Sequence, residues 1–201
     1  AIQPFGRRSR AFDSRWSLPT FEDVLDVAAT HSSPDRRIGI YPELKHPAFF
    51  AAHGIDVTAI CIDALRHRGH GGKSDPVWLQ CFEIEPLRRI HETLALPVFF
   101  LVEPSAIGDT SWLRALHRQH TWLDGIALPK SALMGVHGNG ELVRVAHDLG
   151  WQVHVWTLRD DQVMAGFARV QDELHALFAL GVDALFADFP GTAVAVRDAS
   201  D

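Results

Sequence analysis

Short apolar runs alternate with longer amphipathic stretches along most of this 201-residue chain. The runs are bounded by turn residues and are mostly apolar on both faces, which is typical of parallel strands covered by helices. The predicted strands are Ile38–Leu44, Val77–Phe82, Pro97–Val102, Gly125–Leu128, Gln152–Leu158 and Ala184–Phe189. Helical spacing of apolar residues predicts Val57–His67, Glu85–Leu94, Trp112–Gln119, Gly140–Leu149 and Val170–Leu180, after a first helix capped by Thr20 with an acid three residues on.

This alternation of strand and helix predicts βαβ units with right-handed crossovers in one α/β domain over residues 1–201. Such units build either an open doubly wound sheet or a closed barrel. The two common glycine-rich nucleotide-binding motifs of open sheets do not occur in the sequence. A (β/α)₈ barrel needs eight strands, so either the sheet is open or two βα units lie outside this chain.

Composition narrows the function classes. The chain has 19 Lys+Arg against 25 Asp+Glu, a net charge of −6, which argues against a nucleic-acid partner. No apolar run approaches the roughly 20 residues of a transmembrane helix. Cys61 and Cys81 are too few for a disulfide scaffold and are not spaced as metal ligands.

The chemistry-bearing residues with the clearest pattern end the first predicted strand. Glu43 and Lys45 are two residues apart, so their side chains point to the same face. Catalytic groups of barrel enzymes gather at the carboxyl ends of the strands. The pair is therefore either a ligand of a hard cation beside a phosphate-binding ammonium, or a buried ion pair at the barrel mouth.

Two other strand ends carry candidate binding groups. Gln80 and Phe82 share a face and offer a hydrogen-bonding amide and an aromatic wall. Trp156, with His154 and Leu158 on its face, could wall a small ligand or pack in the core. Asp188, which precedes Phe189 and Pro190, could face a pocket or cap the following turn.

Several of these segments together resemble glycerophosphodiester phosphodiesterases, particularly the periplasmic bacterial type. The resemblance spans about residues 12–196 and rests on the stretches 18–25, 38–47, 77–82 and 181–190. It implies a TIM barrel that holds about six of its eight strands, three to eight, in this chain. It also implies hydrolysis of glycerophosphodiesters to glycerol 3-phosphate and an alcohol, in the periplasm or outside the cell.

The same resemblance implies roles for individual residues. Glu43 would bind a divalent cation, Ca²⁺ or Mg²⁺, Lys45 would act at the phosphate, and a small-molecule substrate would lie against Gln80, Phe82 and Trp156. The family's upstream His-Arg-Gly and His-Asp motifs are not found in their expected place. His67-Arg68-Gly69 follows a predicted helix, and His147-Asp148 lies inside one, so both are expected to be structural or surface groups.

The missing motifs leave two alternatives to the enzymatic interpretation. In the first, the chain is a catalytically incomplete piece whose open sheet edges favour self-association. Otherwise it is an unrelated, non-enzymatic α/β protein in which Glu43 and Lys45 form an ordinary salt bridge.

Overall fold

The computed structural model describes residues 8, 11, 13–135 and 138–199. The chain divides into two compact units, residues 1–38 and 39–201, which are described separately below. Whether residues 1–201 form the single domain predicted from the sequence stays a prediction. Within the described residues, no helix is long and apolar enough to cross a bilayer.

The first unit contains helix α1, Phe21–His31, and its start confirms the prediction at Thr20. The Thr20 hydroxyl accepts a hydrogen bond from the Asp23 backbone N–H at 3.1 Å, and the Asp23 carboxylate accepts one from the Thr20 N–H at 2.8 Å. This reciprocal capping box satisfies two backbone donors that an uncapped helix leaves unpaired.

The second unit is an alternation of strands and helices. Its elements are β1 Glu43–Leu44, α2 Pro47–Ala52, α3 Val57–His67, β2 Leu79–Cys81, α4 Ile84–Thr93, β3 Val98–Leu101, α5 Thr110–Gln119, β4 Gly125–Pro129, α6 Lys130–Leu133, α7 Glu141–Asp148, β5 Gln152–Leu158, α8 Val170–Leu180, β6 Ala184–Ala187 and α9 Pro190–Asp198, with a 3₁₀ turn at Pro104–Ala106. All six predicted strands and all five helices predicted after residue 39 are present.

The six strands form one parallel sheet in the order β1-β2-β3-β4-β5-β6. A doubly wound sheet would reverse its order at a switch point, whereas strands that follow one another in chain order are typical of a barrel. The predicted TIM-barrel architecture with six strands is therefore confirmed.

Contacts between distant strands show that the sheet curls. Tyr41, just before β1, lies 5.5 Å from the ring of His154 on β5 and 4.9 Å from the ring of Phe186 on β6. Four strand spacings separate β1 from β5, which is roughly 19 Å along a sheet. Only a sheet bent into a partial barrel brings these side chains into contact across its inner face.

The outer face of the sheet and the helices share the main hydrophobic core. Residues that are 0–1% exposed there come from strands and helices alike. They include Leu79, Cys81, Val98, Ile126, Leu128, Val153 and Val155 from the strands and Leu65, Leu87, Ile90, Leu113, Leu142, Leu174 and Leu177 from the helices. The strands are therefore covered by helices on the outer face and by side chains of other strands on the inner face, which explains why they appear in the sequence as continuous apolar runs.

The structure corrects the sequence prediction at several points. Strand β1 is shorter than predicted because Pro42 has no N–H for the ladder, although Ile40 still forms an isolated parallel bridge to Val77. A register shift in β5 places Leu158 on the face of Val155 instead of the face of Trp156. Helices α2, α6 and α9 are additional to the prediction.

Candidate active site

Glu43 and Lys45 lie at the carboxyl edge of the sheet, where β1 ends. Lys45 Nζ donates to Glu43 Oε1 at 2.8 Å. The two side chains differ in exposure, with 22% for Glu43 and 70% for Lys45. The ammonium is therefore held by Glu43 and still open to solvent at the barrel mouth, while the carboxylate lies closer to the sheet. The predicted common face is observed, and the sequence-based alternative of a fully buried pair is not.

Gln80 stands beside Glu43 on the neighbouring strand, in direct register with it. Partners in a parallel register point to the same face, so both side chains project into the barrel. Gln80 is 6% exposed, and its Oε1 atom has no hydrogen-bond partner within the described part of the chain. A buried amide oxygen without a donor is costly, so this atom is well placed to accept from a ligand.

Phe82, which follows β2, and Trp156, which lies on β5, meet across the mouth. Their ring centroids are 5.9 Å apart in an edge-to-face arrangement. The Trp156 Nε1–H donates to the Ala127 carbonyl at 3.2 Å, which fixes the plane of the indole. Both rings are only partly buried. The structure thus brings two predicted wall residues together, and the predicted role in substrate binding stays a prediction.

A second aromatic layer lies beneath this mouth. Tyr41 Oη and His154 Nδ1 form a 2.7 Å hydrogen bond, and the Phe99 ring stacks on His154 at 3.9 Å. Burial raises the pKa of Tyr41 and lowers the pKa of His154 to about 4. His154 is therefore neutral at physiological pH. The sequence gives His154 the same face as Trp156 but does not indicate its partner, because Tyr41 lies 113 residues earlier in the chain.

A buried ion pair supports the loop beside Trp156. Lys130 Nζ lies 2.6 Å from Glu173 Oε2, with side-chain exposures of 15% and 0%. The other Glu173 oxygen accepts from the Met164 backbone N–H. This pair is not among the contacts predicted from the sequence. Its only local signal is that Glu173 falls at helical spacing on the apolar face of α8 with Val170 and Leu174.

A cavity of about 410 Å³ adjoins this ion pair. It opens between the ends of β4 and β5 and is lined by Lys130, Trp156, Arg159 and Met164 among others. At its side Arg159 Nε donates to Asp188 Oδ2 at 2.9 Å. Asp188, which the sequence left between two roles, thus ties the ends of β5 and β6 together.

The two histidine motifs that were expected to be structural or surface groups lie at the ends of helices. Helix α3 ends at His67, so His67-Arg68-Gly69 follows a helix and precedes β2, at the amino edge of the sheet. His147 and Asp148 end α7, and His147 Nε2 contacts Asp183 Oδ2 at 2.9 Å. Both motifs are remote in the topology from the carboxyl edge that carries Glu43.

The described residues offer the type of ligand atom that a divalent cation prefers, but fewer such ligands than the cation needs. Glu43 and the unpartnered Gln80 Oε1 are oxygen donors, which hard cations prefer. Residues 13–135 and 138–199 contain no group of three or more His, Cys, Asp or Glu side chains placed to hold a metal. Ca²⁺ takes six to eight oxygen ligands from carboxylates, carbonyl groups and water, so Glu43 and Gln80 alone would not complete its shell.

The six-stranded partial barrel has the architecture of the TIM-barrel class, in which active sites lie at the carboxyl edge that carries this acid, amine and aromatic wall. Comparison with known families identifies which one. Residues 3–192 match the model of the glycerophosphoryl diester phosphodiesterase family. The chain belongs to this family, and the resemblance recognised in its sequence is confirmed.

Individual relatives agree with this assignment. The chain is 25% identical to a glycerophosphodiester phosphodiesterase of Haemophilus influenzae and 27% identical to glycerophosphodiester phosphodiesterase GDPD6 of Arabidopsis thaliana, over 96% of the chain in both alignments. It spans 62% and 59% of those two relatives. A crystal structure of the Thermotoga maritima glycerophosphodiester phosphodiesterase superimposes with a TM-score of 0.58 at 14% identity, covering 89% of this chain and 63% of the other, which shows the shared fold.

Proposed function

We propose that this chain forms the greater part of the catalytic barrel of an enzyme that hydrolyses glycerophosphodiesters to glycerol 3-phosphate and an alcohol. Such a reaction belongs to glycerophospholipid metabolism. The observation that carries the proposal is the Glu43–Lys45 pair at the carboxyl edge of a barrel whose sequence matches this family over residues 3–192. Two relatives of the chain are named for this activity.

Lys45 is the residue proposed to act at the phosphate. Its ammonium is 70% exposed at the mouth and carries the positive charge that an anionic diester needs. The Glu43 carboxylate, 2.8 Å away, orients the Lys45 side chain before substrate binds. An ammonium that is already in place stabilises the transition state more than one that has to be ordered during the reaction, because no free energy is spent on reorganisation.

The substrate is proposed to lie against Gln80, Phe82 and Trp156. The two rings provide an apolar wall at the mouth, and the unpartnered Gln80 Oε1 can accept a hydrogen bond from a hydroxyl group. Glycerol offers such hydroxyl groups next to short apolar stretches of carbon. This combination of surfaces suits a small polar molecule better than a nucleic acid, in keeping with the acidic net charge of −6.

Glu43 is proposed to be one ligand of a divalent cation, Ca²⁺ or Mg²⁺, and Gln80 Oε1 lies one strand away as a neighbouring oxygen donor. When bound, the cation would neutralise negative charge on the phosphodiester. Glu43 would hold the cation beside Lys45, with which it already forms a 2.8 Å hydrogen bond. On the basis of the sequence resemblance we place the reaction in the periplasm or outside the cell, which fractionation of the source cells would test.

A second candidate is favoured by the edges of the sheet. Strands β1 and β6 are each paired on one side only in the described sheet, and exposed edges of this kind promote association. In this alternative the 201-residue chain is catalytically incomplete on its own and self-associates. Light scattering after gel filtration measures its mass in solution, and an inactive oligomer would favour this candidate.

The activity is tested with purified protein, in the longest form that its gene encodes, and glycerophosphocholine as substrate. Hydrolysis that releases glycerol 3-phosphate and stops on addition of a chelator is expected. Lys45→Met should lower kcat about 100-fold or more, because a positioned charge at the phosphate is lost. Lys73→Met, in an exposed loop, is the matched control and should leave kcat unchanged. Absence of hydrolysis, or full activity of the Lys45 variant, would contradict the proposal.

A further inference from the structure

The hydrogen bond between Tyr41 and His154 joins two elements that carry different parts of the site. Tyr41 precedes Glu43 by two residues, and His154 precedes Trp156 by two residues. Residues two apart on a strand share a face and lie roughly 6.6 Å apart along it. The 2.7 Å bond between Tyr41 Oη and His154 Nδ1 therefore crosses the barrel one layer beneath Glu43 and Trp156.

The aromatic neighbours of the two residues hold this bond in one geometry. Phe99 stacks on the His154 ring at 3.9 Å, and Phe186 contacts the Tyr41 ring at 4.9 Å. His154 is 4% exposed, so its hydrogen bond is sheltered from competing water. The bond is also one of the contacts that fasten the segment just before β1, at one edge of the sheet, to a strand four positions away.

We infer that Tyr41 and His154 are positioning residues whose hydrogen bond sets the distance between Glu43 and Trp156 across the mouth. Backbone hydrogen bonds of Ile40 and Pro42 tie the segment before β1 to the β2 side, but β1 is an edge strand that pairs with β2 alone in the described sheet. No ladder of that sheet therefore holds its other edge. Without the cross-barrel bond, β1 could shift outward and carry Glu43 and Lys45 away from the Trp156 wall. This inference rests on the proposed function for its kinetic consequence but not for its structural one.

The kinetic test uses Tyr41→Phe, which removes the hydroxyl and keeps the ring contacts. A misplacement near 1 Å in an active site can cost about 100-fold in rate, so we expect kcat to fall between about tenfold and 100-fold with a smaller change in KM. The matched control is Ile90→Val on α4, a buried change on the outer side of the sheet. It should lower the unfolding midpoint without lowering kcat.

A structural test is independent of activity. The protein is labelled with 5-fluorotryptophan, and the Trp156 signal among the six tryptophans is assigned with Trp156→Phe. In the described structure the ring contacts of Tyr41 are with Trp78, Phe99, His154 and Phe186, so a change at Trp156 has to be transmitted. Tyr41→Phe should shift or broaden the Trp156 ¹⁹F signal, and Ile90→Val should not.

If Tyr41→Phe does not fold, substitutions of His154 test the same hydrogen bond. His154→Asn keeps a hydrogen-bonding atom near the position of Nδ1 and should retain more of the kcat and of the Trp156 signal than His154→Leu. An unchanged Trp156 signal in Tyr41→Phe, or unchanged kcat in an active protein, would overturn the inference. If the unaltered protein does not hydrolyse the diester, the proposed function fails, and the fluorine signal alone decides on the positioning role.

Discussion

The ion pair between Lys130 and Glu173 is a buried electrostatic contact next to the cavity that Trp156 lines. Glu173 is fully buried, and its two oxygens bind the Lys130 ammonium and the Met164 backbone N–H. Glu173→Gln keeps an oxygen for Met164 and removes the charge opposite Lys130. Lys130→Met instead leaves the Glu173 charge without its cation inside the protein.

The two variants should differ in cost because the two partners differ in exposure. Breaking a buried ion pair by removing one partner costs about 3–5 kcal/mol. Lys130 is 15% exposed and also contacts the Gln162 carbonyl at 3.3 Å, so Glu173→Gln belongs near the lower value, about 3 kcal/mol. Glu173 has 0% exposure, so Lys130→Met belongs near the upper value, about 5 kcal/mol.

Thermal and urea unfolding measure both effects. For a chain of this length the midpoint moves by about 2–4 °C per kcal/mol, which gives roughly 6–12 °C for Glu173→Gln and 10–20 °C for Lys130→Met. The double variant should recover much of the loss, because neither charge is then left alone. Glu141→Gln, which breaks an exposed pair with Arg144, is the control and should not move the midpoint measurably. Equal behaviour of Glu173→Gln and this control would refute the reasoning.

Two further predictions concern buried titratable groups. The pKa of His154 is lowered to about 4 by burial, against 6.5 in the unfolded chain, so only the unfolded state gains a proton between these values. The free energy of unfolding should therefore fall by up to about 3 kcal/mol from pH 6.5 to pH 4, less steeply in His154→Leu, and an NMR pKa above 6 would contradict this. Burial also raises the thiol pKa of Cys61 and of Cys81 to about 11, so Ellman's reagent at pH 8 should label neither thiol rapidly until the protein unfolds. Rapid labelling of the folded protein would show that a thiol is accessible.

Local patterns in the sequence predict most of the fold because each element carries its own signal. Thr20 and Asp23 mark the start of α1, and the apolar spacing of Val57–His67 and Val170–Leu180 gives the bounds of α3 and α8 as observed. Helix α9 lacks such a signal because Gly191, Thr192 and two valines are weak helix formers. Its stability comes from tertiary packing that the sequence does not display.

The candidate site is predictable only as far as it lies within single strands. Glu43 and Lys45 share a face by the two-residue period of β1, and the structure places them 2.8 Å apart. The contacts of Phe82 with Trp156 and of Tyr41 with His154 depend on the curl of the whole sheet. No local period carries that information, because it arises from six strands acting together.

The measurement that tests the central claim most directly is the affinity for Ca²⁺ and Mg²⁺, taken by calorimetry together with kcat in the same preparations. In Glu43→Gln, cation affinity and kcat should fall together by at least about tenfold, since an anionic oxygen donor is lost at the carboxyl edge of β1. Glu85→Gln, on the exposed side of α4, is the matched control and should leave both unchanged. Unchanged cation affinity and kcat in Glu43→Gln would remove Glu43 from the site and contradict the account.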